Sequence, residues 1–276
     1  MSDACLRVLA PVTNIPGPLA AAGLARDGAR VVKVEPPQGD PLQAAAPDWY
    51  ATITGGMEVV RLDLRGEAQR ERLHALVAEN DLLITAMRRA ALERLGLEWP
   101  QLHARYPGLC HVAIFGEAAP HDDRPGHDLT YQAQAGLLQP PYLPRSVFAD
   151  LLSAERAVAA AYRALLERAH TGSGVRVDIS IAAGAAHLAD PLRCGLTSAG
   201  GPLGGAYALY GLYESRDGWI ALAALEPHFQ ARLRDALQIE RLEAQALRDC
   251  FAEQSSAYWE DLARRFDLPL CAVATV

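Results

Sequence analysis

The stretch Ala29-Arg30-Val31-Val32-Lys33-Val34-Glu35 narrows what this chain can fold into. Its β-branched residues recur as they do in a strand. Asp27-Gly28 in front of it stops the helical run Leu19 to Arg26, and Pro36-Pro37 ends it. With the short apolar run Leu6 to Leu9, cut off by the breaker cluster from Pro11 to Pro18, it makes a βαβ unit. A second unit follows, with a strand over Val59 to Leu64, an amphipathic helix over Glu67 to Ala78 and a strand over Asp81 to Thr85. Helices are then expected at Ala90 to Leu95 and around Pro100 to Tyr106, and a strand at Leu109 to Phe115. Strands alternating with helices of this length predict an α/β fold with a doubly wound, mostly parallel, Rossmann-like sheet. Ligands of such sheets bind beyond the carboxyl ends of the strands, so the loops after Leu9, Glu35, Thr85 and Phe115 are the first candidate sites. No Gly-x-Gly-x-x-Gly or Walker sequence follows any of these strands, which argues against the usual dinucleotide cradle.

Further along, Leu151 to His170 is alanine-rich and helical, closed by Thr171-Gly172-Ser173-Gly174. Val175 to Ser180 alternates as a strand, and a small-residue helix is expected from Ile181 to Leu192. After the loop Gly195 to Gly205 the pattern changes. Tyr207 to Tyr213, the turn Arg216-Asp217-Gly218 and Trp219 to Ala224 read as a β-hairpin, followed by helices at Phe229 to Leu237, Arg241 to Phe251 and Ser256 to Phe266. The expected organisation is therefore a large α/β domain over 1–194 and a smaller α+β domain over 195–276.

A chain of 276 residues is long enough for these two cores. The net charge of −7 argues against a nucleic-acid partner or an anionic membrane surface. There is no charged-then-apolar leader and no apolar run of about twenty residues, so no membrane partner and a cytoplasmic location are expected. Cys5, Cys110, Cys194, Cys250 and Cys271 are scattered and odd in number, which supports neither a disulfide framework nor a metal site.

Two residues at breaks between these segments pair an imidazole with a carboxylate. Arg124-Pro125-Gly126 is a turn, and Leu129, Ala133, Gly136 and Leu137 after it have helical spacing, so His127 falls at or beside a helix N-terminus. The partial positive charge there favours the neutral, basic form of an imidazole. Asp150 opens the long helix, where a carboxylate suits an N-cap or first-turn position. Spacing alone fits a catalytic pair and also a plain cap beside a turn histidine.

In several places at once the sequence resembles the family III CoA-transferases (CaiB/BaiF), and within them the α-methylacyl-CoA racemases. The matching residues are Pro16-Gly17-Pro18, Gly28 to Glu35, Arg88-Arg89 leading to Leu95-Gly96-Leu97, and Gly126-His127-Asp128. They continue with Ala149-Asp150, Thr171-Gly172-Ser173-Gly174, Arg216-Asp217-Gly218 and Leu225-Glu226-Pro227, in order across residues 6–273. The resemblance implies an enzyme that takes a coenzyme A thioester as substrate and holds no permanent cofactor. It implies CoA contacts at Pro16, Lys33, Arg88, Arg89 and Gly126 of the large domain. In the transferases the aspartate matching Asp150 is the nucleophile. In the racemases the residues matching His127 and Asp150 exchange the α-proton from opposite sides, and the glutamate matching Glu226 supports them. By the same resemblance Glu226 stands near enough to raise the pKa of Asp150 by repulsion. His127 favours proton transfer, because the transferases usually carry Gly-Tyr-Asp at that motif. An interlocked homodimer is implied, or a heterodimer with a full-length relative.

Three departures stand out. Ser153-Ala154-Glu155 replaces the glycine-rich run after the aspartate. Gly55-Gly56-Met57-Glu58 stands where the family carries basic residues that hold the CoA phosphates, which leaves Lys33, Arg88 and Arg89 for that task. Relatives also continue past the position matching Val276. The alternative to an acyl-CoA enzyme is a non-catalytic subunit that partners a full-length relative.

Overall fold

The computed structural model describes residues 5–275, so the outermost ends of the two expected domains, residues 1–4 and Val276, lie outside the described residues. The chain divides into two compact units, one ending at Ala189 and the other beginning at Asp190.

The first unit runs β1 (Arg7–Pro11), α1 (Pro16–Arg26), β2 (Arg30–Glu35), α2 (Pro41–Ala45), α3 (Pro47–Thr54), β3 (Met57–Arg61), α4 (Glu67–Ala78) and β4 (Leu82–Ala86). It continues with α5 (Arg89–Arg94), α6 (Trp99–Arg105), β5 (Cys110–Phe115), α7 (Asp128–Ala135), α8 (Phe148–Thr171), β6 (Arg176–Ser180) and α9 (Ile181–Leu188). The strands form one sheet in the order β3-β2-β1-β4-β5-β6, and every neighbouring pair is parallel. Its topological switch lies between β1 and β4, where the connections leave in opposite directions and open a crevice at the carboxyl ends.

Both faces of the sheet are covered. On one, Ala20, Ala21 and Leu24 of α1 and the alanines at 154, 157, 160, 161 and 164 of α8 pack on Val8, Val31, Leu82 and Val112. These alanines let α8 lie close to α1: a Cβ at Gly23 would stand 2.8 Å from Val158 Cγ2. On the other face, Leu73, Val77, Leu92 and Leu102 of α4, α5 and α6 pack on Leu9, Val32 and Leu83. Gly28, at φ +95°, closes α1 in a conformation that a side chain would strain.

Three local differences from the sequence reading have physical causes. The stretch before β3 holds α2 and α3, each opening on a proline at its start, with the Asp40 carboxylate accepting from Leu42 N–H at 3.0 Å. The strand expected from Val59 begins at Met57, because pairing with Val31 of β2 recruits it. The helix expected from Ile181 to Leu192 breaks after Leu188, and Asp190-Pro191 begins a new one.

The second unit comprises α10 (Asp190–Arg193), the hairpin β7 (Tyr210–Ser215) and β8 (Gly218–Ala223), α11 (Pro227–Leu237), α12 (Ala244–Ala252), α13 (Ser256–Phe266) and β9 (Leu270–Ala272). β9, too short at three residues to show a strand alternation in the sequence, pairs antiparallel with β8. Tyr213, Ile220, Leu233, Phe251 and Trp259 form its core. No helix among the described residues is long and apolar enough to cross a membrane.

Candidate active site

Two cavities open at the carboxyl ends of the first unit's strands, and both are walled by Thr13, Ala86 and Met87. The larger, about 740 Å³, lies among the loops after β1, β2, β3 and β4 and is lined by Glu35, Arg65, Arg70 and Arg94. That volume is within the roughly 300–1,000 Å³ typical of small-molecule sites. The smaller, about 260 Å³, is lined by Pro16, Arg88, Gly126, His127, Tyr131 and Asp150. His127 and Asp150, far apart in sequence, thus share one cavity.

His127 is the N-cap residue of α7, and its backbone N–H donates to Thr130 Oγ1 at 3.1 Å. Asp150 is the third residue of α8, a first-turn position. The group that caps α8 is Asp128: its Oδ1 accepts from Ala149 N–H at 2.9 Å and Asp150 N–H at 3.1 Å, and its Oδ2 accepts from Gln132 Nε2. The charge of Asp128 is thereby fixed beside Asp150, which is itself 9% exposed. Burial first, and then repulsion from Asp128, push the Asp150 carboxyl up to about 7. Within the first unit, the like charge acting on Asp150 is Asp128. Glu226 belongs to the second unit, is exposed, and stands at the N-cap position of α11 with no side-chain capping bond.

The basic residues sort differently from the sequence expectation. Lys33 is fully buried, with Nζ donating to Glu35 Oε1 and, at 2.8 Å, to Asp40 Oδ2. Tyr50 Oη donates to the same Glu35 oxygen at 2.6 Å, and burial with this carboxylate raises the phenol to about 12. Lys33 is thus locked in a charge cluster with no surface from which to meet a phosphate. Arg89 is also engaged, donating to Asp122 Oδ2 at 2.7 Å and pairing with Glu98 at 3.5 Å. Arg88 lines the smaller cavity, and its side chain makes no ion pair or hydrogen bond among the described residues. Arg94, which sequence reading passed over, stands the same way in the larger one. Pro16 and Gly126 are wall residues of the smaller cavity.

The departures in sequence fall outside both cavities. Glu58 is exposed near the amino end of β3 and pairs with Arg30 at 3.6 Å. Glu155 is exposed on α8, and Ser153 is buried, its hydroxyl donating to Ala149 O at 2.7 Å. Sequence reading missed the role of Asp128, although it belongs to the Gly126-His127-Asp128 motif, and did not single out Tyr131, which lines the same cavity. Their signal is positional: Asp128 adjoins the imidazole, and Tyr131 follows it by one helical turn. Among the described residues no group of His, Cys, Asp and Glu side chains could hold a metal ion.

A doubly wound sheet with an imidazole and a raised carboxyl in one cavity at its carboxyl edge defines a class of α/β protein built for acid–base or nucleophilic chemistry on a small ligand. The comparisons narrow the class: the profile of CoA-transferase family III matches residues 4–276, and the chain belongs to that family. It is 31% identical over 188 residues to (R)-2-hydroxy-4-methylpentanoate CoA-transferase of Clostridioides difficile, covering 60% of this chain and 47% of that protein. It is 28% identical over 275 residues to α-methylacyl-CoA racemase of Homo sapiens, covering 88% and 70%. A hypothetical protein of Mycobacterium tuberculosis has a solved structure that superposes with a TM-score of 0.82 at 25% identity, over 98% of this chain and 83% of that one. The chain spans about half the length of the Clostridioides relative.

Proposed function

We propose that this chain acts on acyl-CoA thioesters and that its reaction is proton transfer at the acyl α-carbon, as on a 2-methylacyl-CoA. The observation that carries the reading is the pairing in one cavity of His127 with a carboxyl raised to about 7. Reversible α-proton exchange needs a base on one side of the carbon and a proton donor on the other, each poised near the working pH. His127 takes the proton and Asp150, half protonated near neutrality, returns one; in the reverse direction the roles exchange. The larger cavity, which shares the wall residues Thr13, Ala86 and Met87 with this one, takes the adenosine and phosphate end of CoA, with Arg94 and Arg70 facing the anionic groups. Glu58, Ser153 and Glu155 line neither cavity, which supports the catalytic reading over that of a non-catalytic subunit.

A second reading is CoA transfer, in which the Asp150 carboxylate attacks the thioester; the Clostridioides relative carries that activity in its name. It requires Asp150 ionised, and a carboxyl raised to about 7 is only partly so at neutral pH. A homodimer is part of the proposal.

Isobutyryl-CoA incubated with the protein in D2O separates the readings. Deuterium appearing at the α-carbon, and absent with His127→Ala or Asp150→Asn, is the expected result. Movement of CoA to a carboxylate acceptor without deuterium would select transfer. Neither reaction, with no CoA bound at millimolar concentration, would sink the acyl-CoA reading.

A further inference from the structure

Tyr131 follows His127 by four residues and therefore stands on the same side of α7. The residue is 3% exposed, its ring packed with Ala149 and Ala185. Its hydroxyl emerges between the backbones of Gly116 and Gly126, and a Cβ at either glycine would collide with Oη. Glycine at these two positions is what lets the phenol reach the cavity that holds His127 and Asp150. There the hydroxyl has no hydrogen-bond partner among the described residues. The hydroxyl opens into the cavity, so a ligand bound there can accept its hydrogen bond. Burial, with the charges of Glu117 and Asp150, raises its pKa and keeps the proton on oxygen through the neutral range.

The other side-chain donors of the cavity are less suited to hold a developing charge. Arg124 pairs with Glu117 at 3.7 Å, Asn14 and Arg88 are exposed, and Thr13 is half-buried. Tyr131 alone among them is buried and fixed by packing, and a donor stabilises a transition state most when it needs no reorganisation.

We propose that Tyr131 is a catalytic residue whose hydroxyl donates a hydrogen bond to the carbonyl oxygen of the bound thioester. This rests on the acyl-CoA reading above. In proton transfer, the α-C–H bond breaks, its proton goes to His127, and its electron pair passes through the new C=C bond to leave the carbonyl oxygen negative. Reprotonation of carbon restores the carbonyl. Tyr131 keeps its own proton throughout and lowers the energy of the enolate oxygen. The same contact serves the oxyanion of a carboxylate attack, so the assignment holds for either reaction of Asp150.

The test is Tyr131→Phe in the full chain, with isobutyryl-CoA in D2O and a carboxylate acceptor assay run beside wild type. The phenylalanine keeps the ring packing, and circular dichroism and CoA calorimetry establish that fold and ligand binding persist. The expected result is a kcat lower by about 10²–10³, as for loss of one oxyanion donor, with KM changed by no more than about threefold. Incorporation of 3-fluorotyrosine at position 131, a stronger donor of nearly the same size, is expected to hold or raise kcat. Wild-type kcat in Tyr131→Phe, while Asp150→Asn is dead, overturns the assignment and leaves the acyl-CoA reading standing. Absence of both reactions from the wild-type chain overturns the two together.

Discussion

Asp150 loses its proton near pH 3.8 when exposed and near pH 7 in the fold, because a charged carboxylate there is cut off from water and faces Asp128. The folded value is the higher one, so the contribution of this group to stability is full below pH 3.8 and is lost as the pH rises through about 7. The loss amounts to at most about 4 kcal/mol. Asp150→Asn, neutral at every pH, is therefore expected to match wild type at pH 4 and to exceed it in unfolding free energy at pH 8 while losing catalysis. Equal denaturation midpoints at pH 8 would show that the carboxyl is not held high. Lys33 makes the opposite case. Removing it strands Glu35 and Asp40 as buried charges, and breaking such a cluster costs about 3–5 kcal/mol. Lys33→Met is expected to lower the melting temperature sharply, whereas Arg94→Met, at an exposed and unpaired cation, leaves it unchanged and weakens CoA binding in calorimetry. A Lys33→Met protein of wild-type stability would undo the structural role given to the lysine.

At the level of elements, what the sequence made legible follows from how local the determining forces are. α4 and α13 have the boundaries read from their periodicity, and β2, β5 and β6 begin within one residue of theirs, because breakers and β-branched runs act over a few residues. α2 and α3 are too short to show a period, and β9 is three residues long and exists through its partner β8. The burial of Lys33 was hidden because an alternating strand reads as half-exposed, whereas a parallel strand between two helical layers is covered on both faces. The His127/Asp150 pairing was legible through the family resemblance; the Asp128 cap was not, since it depends on α7 and α8 meeting end to end. Packing of α1 on α8 gives a test at this scale. Gly23→Ala gains about 1 kcal/mol of helix propensity but forces a Cβ against Val158, an overpacking worth about 1–3 kcal/mol. In a double-mutant cycle, Val158→Ala is expected to cost less beside Ala at position 23 than beside glycine, with a coupling of at least about 0.5 kcal/mol. Additive costs would mean that the two helices do not meet there.

For the whole molecule the question is how a chain with a net charge of −7 would hold a polyanion such as CoA. Two electrostatic effects oppose each other, and their ranges decide between them. The net charge arises from residues spread over the entire chain, and at physiological salt the Debye length is about 8 Å, so most of that repulsion is screened before it reaches a cavity. Arg65, Arg70 and Arg94 line the larger cavity together with Glu35 and Asp63, so the arginines act on a ligand there at short range. Of these, Arg65 is partly neutralised by Asp63 at 2.8 Å and Arg70 donates to Arg65 O at 2.8 Å, which leaves Arg94 the least committed. Local attraction should prevail. CoA affinity is therefore expected to fall as NaCl is raised from about 50 to about 500 mM, and Arg94→Gln is expected to weaken binding and flatten that dependence. Affinity that rises with salt would mean that the global charge governs the encounter and that these arginines do not face the phosphates.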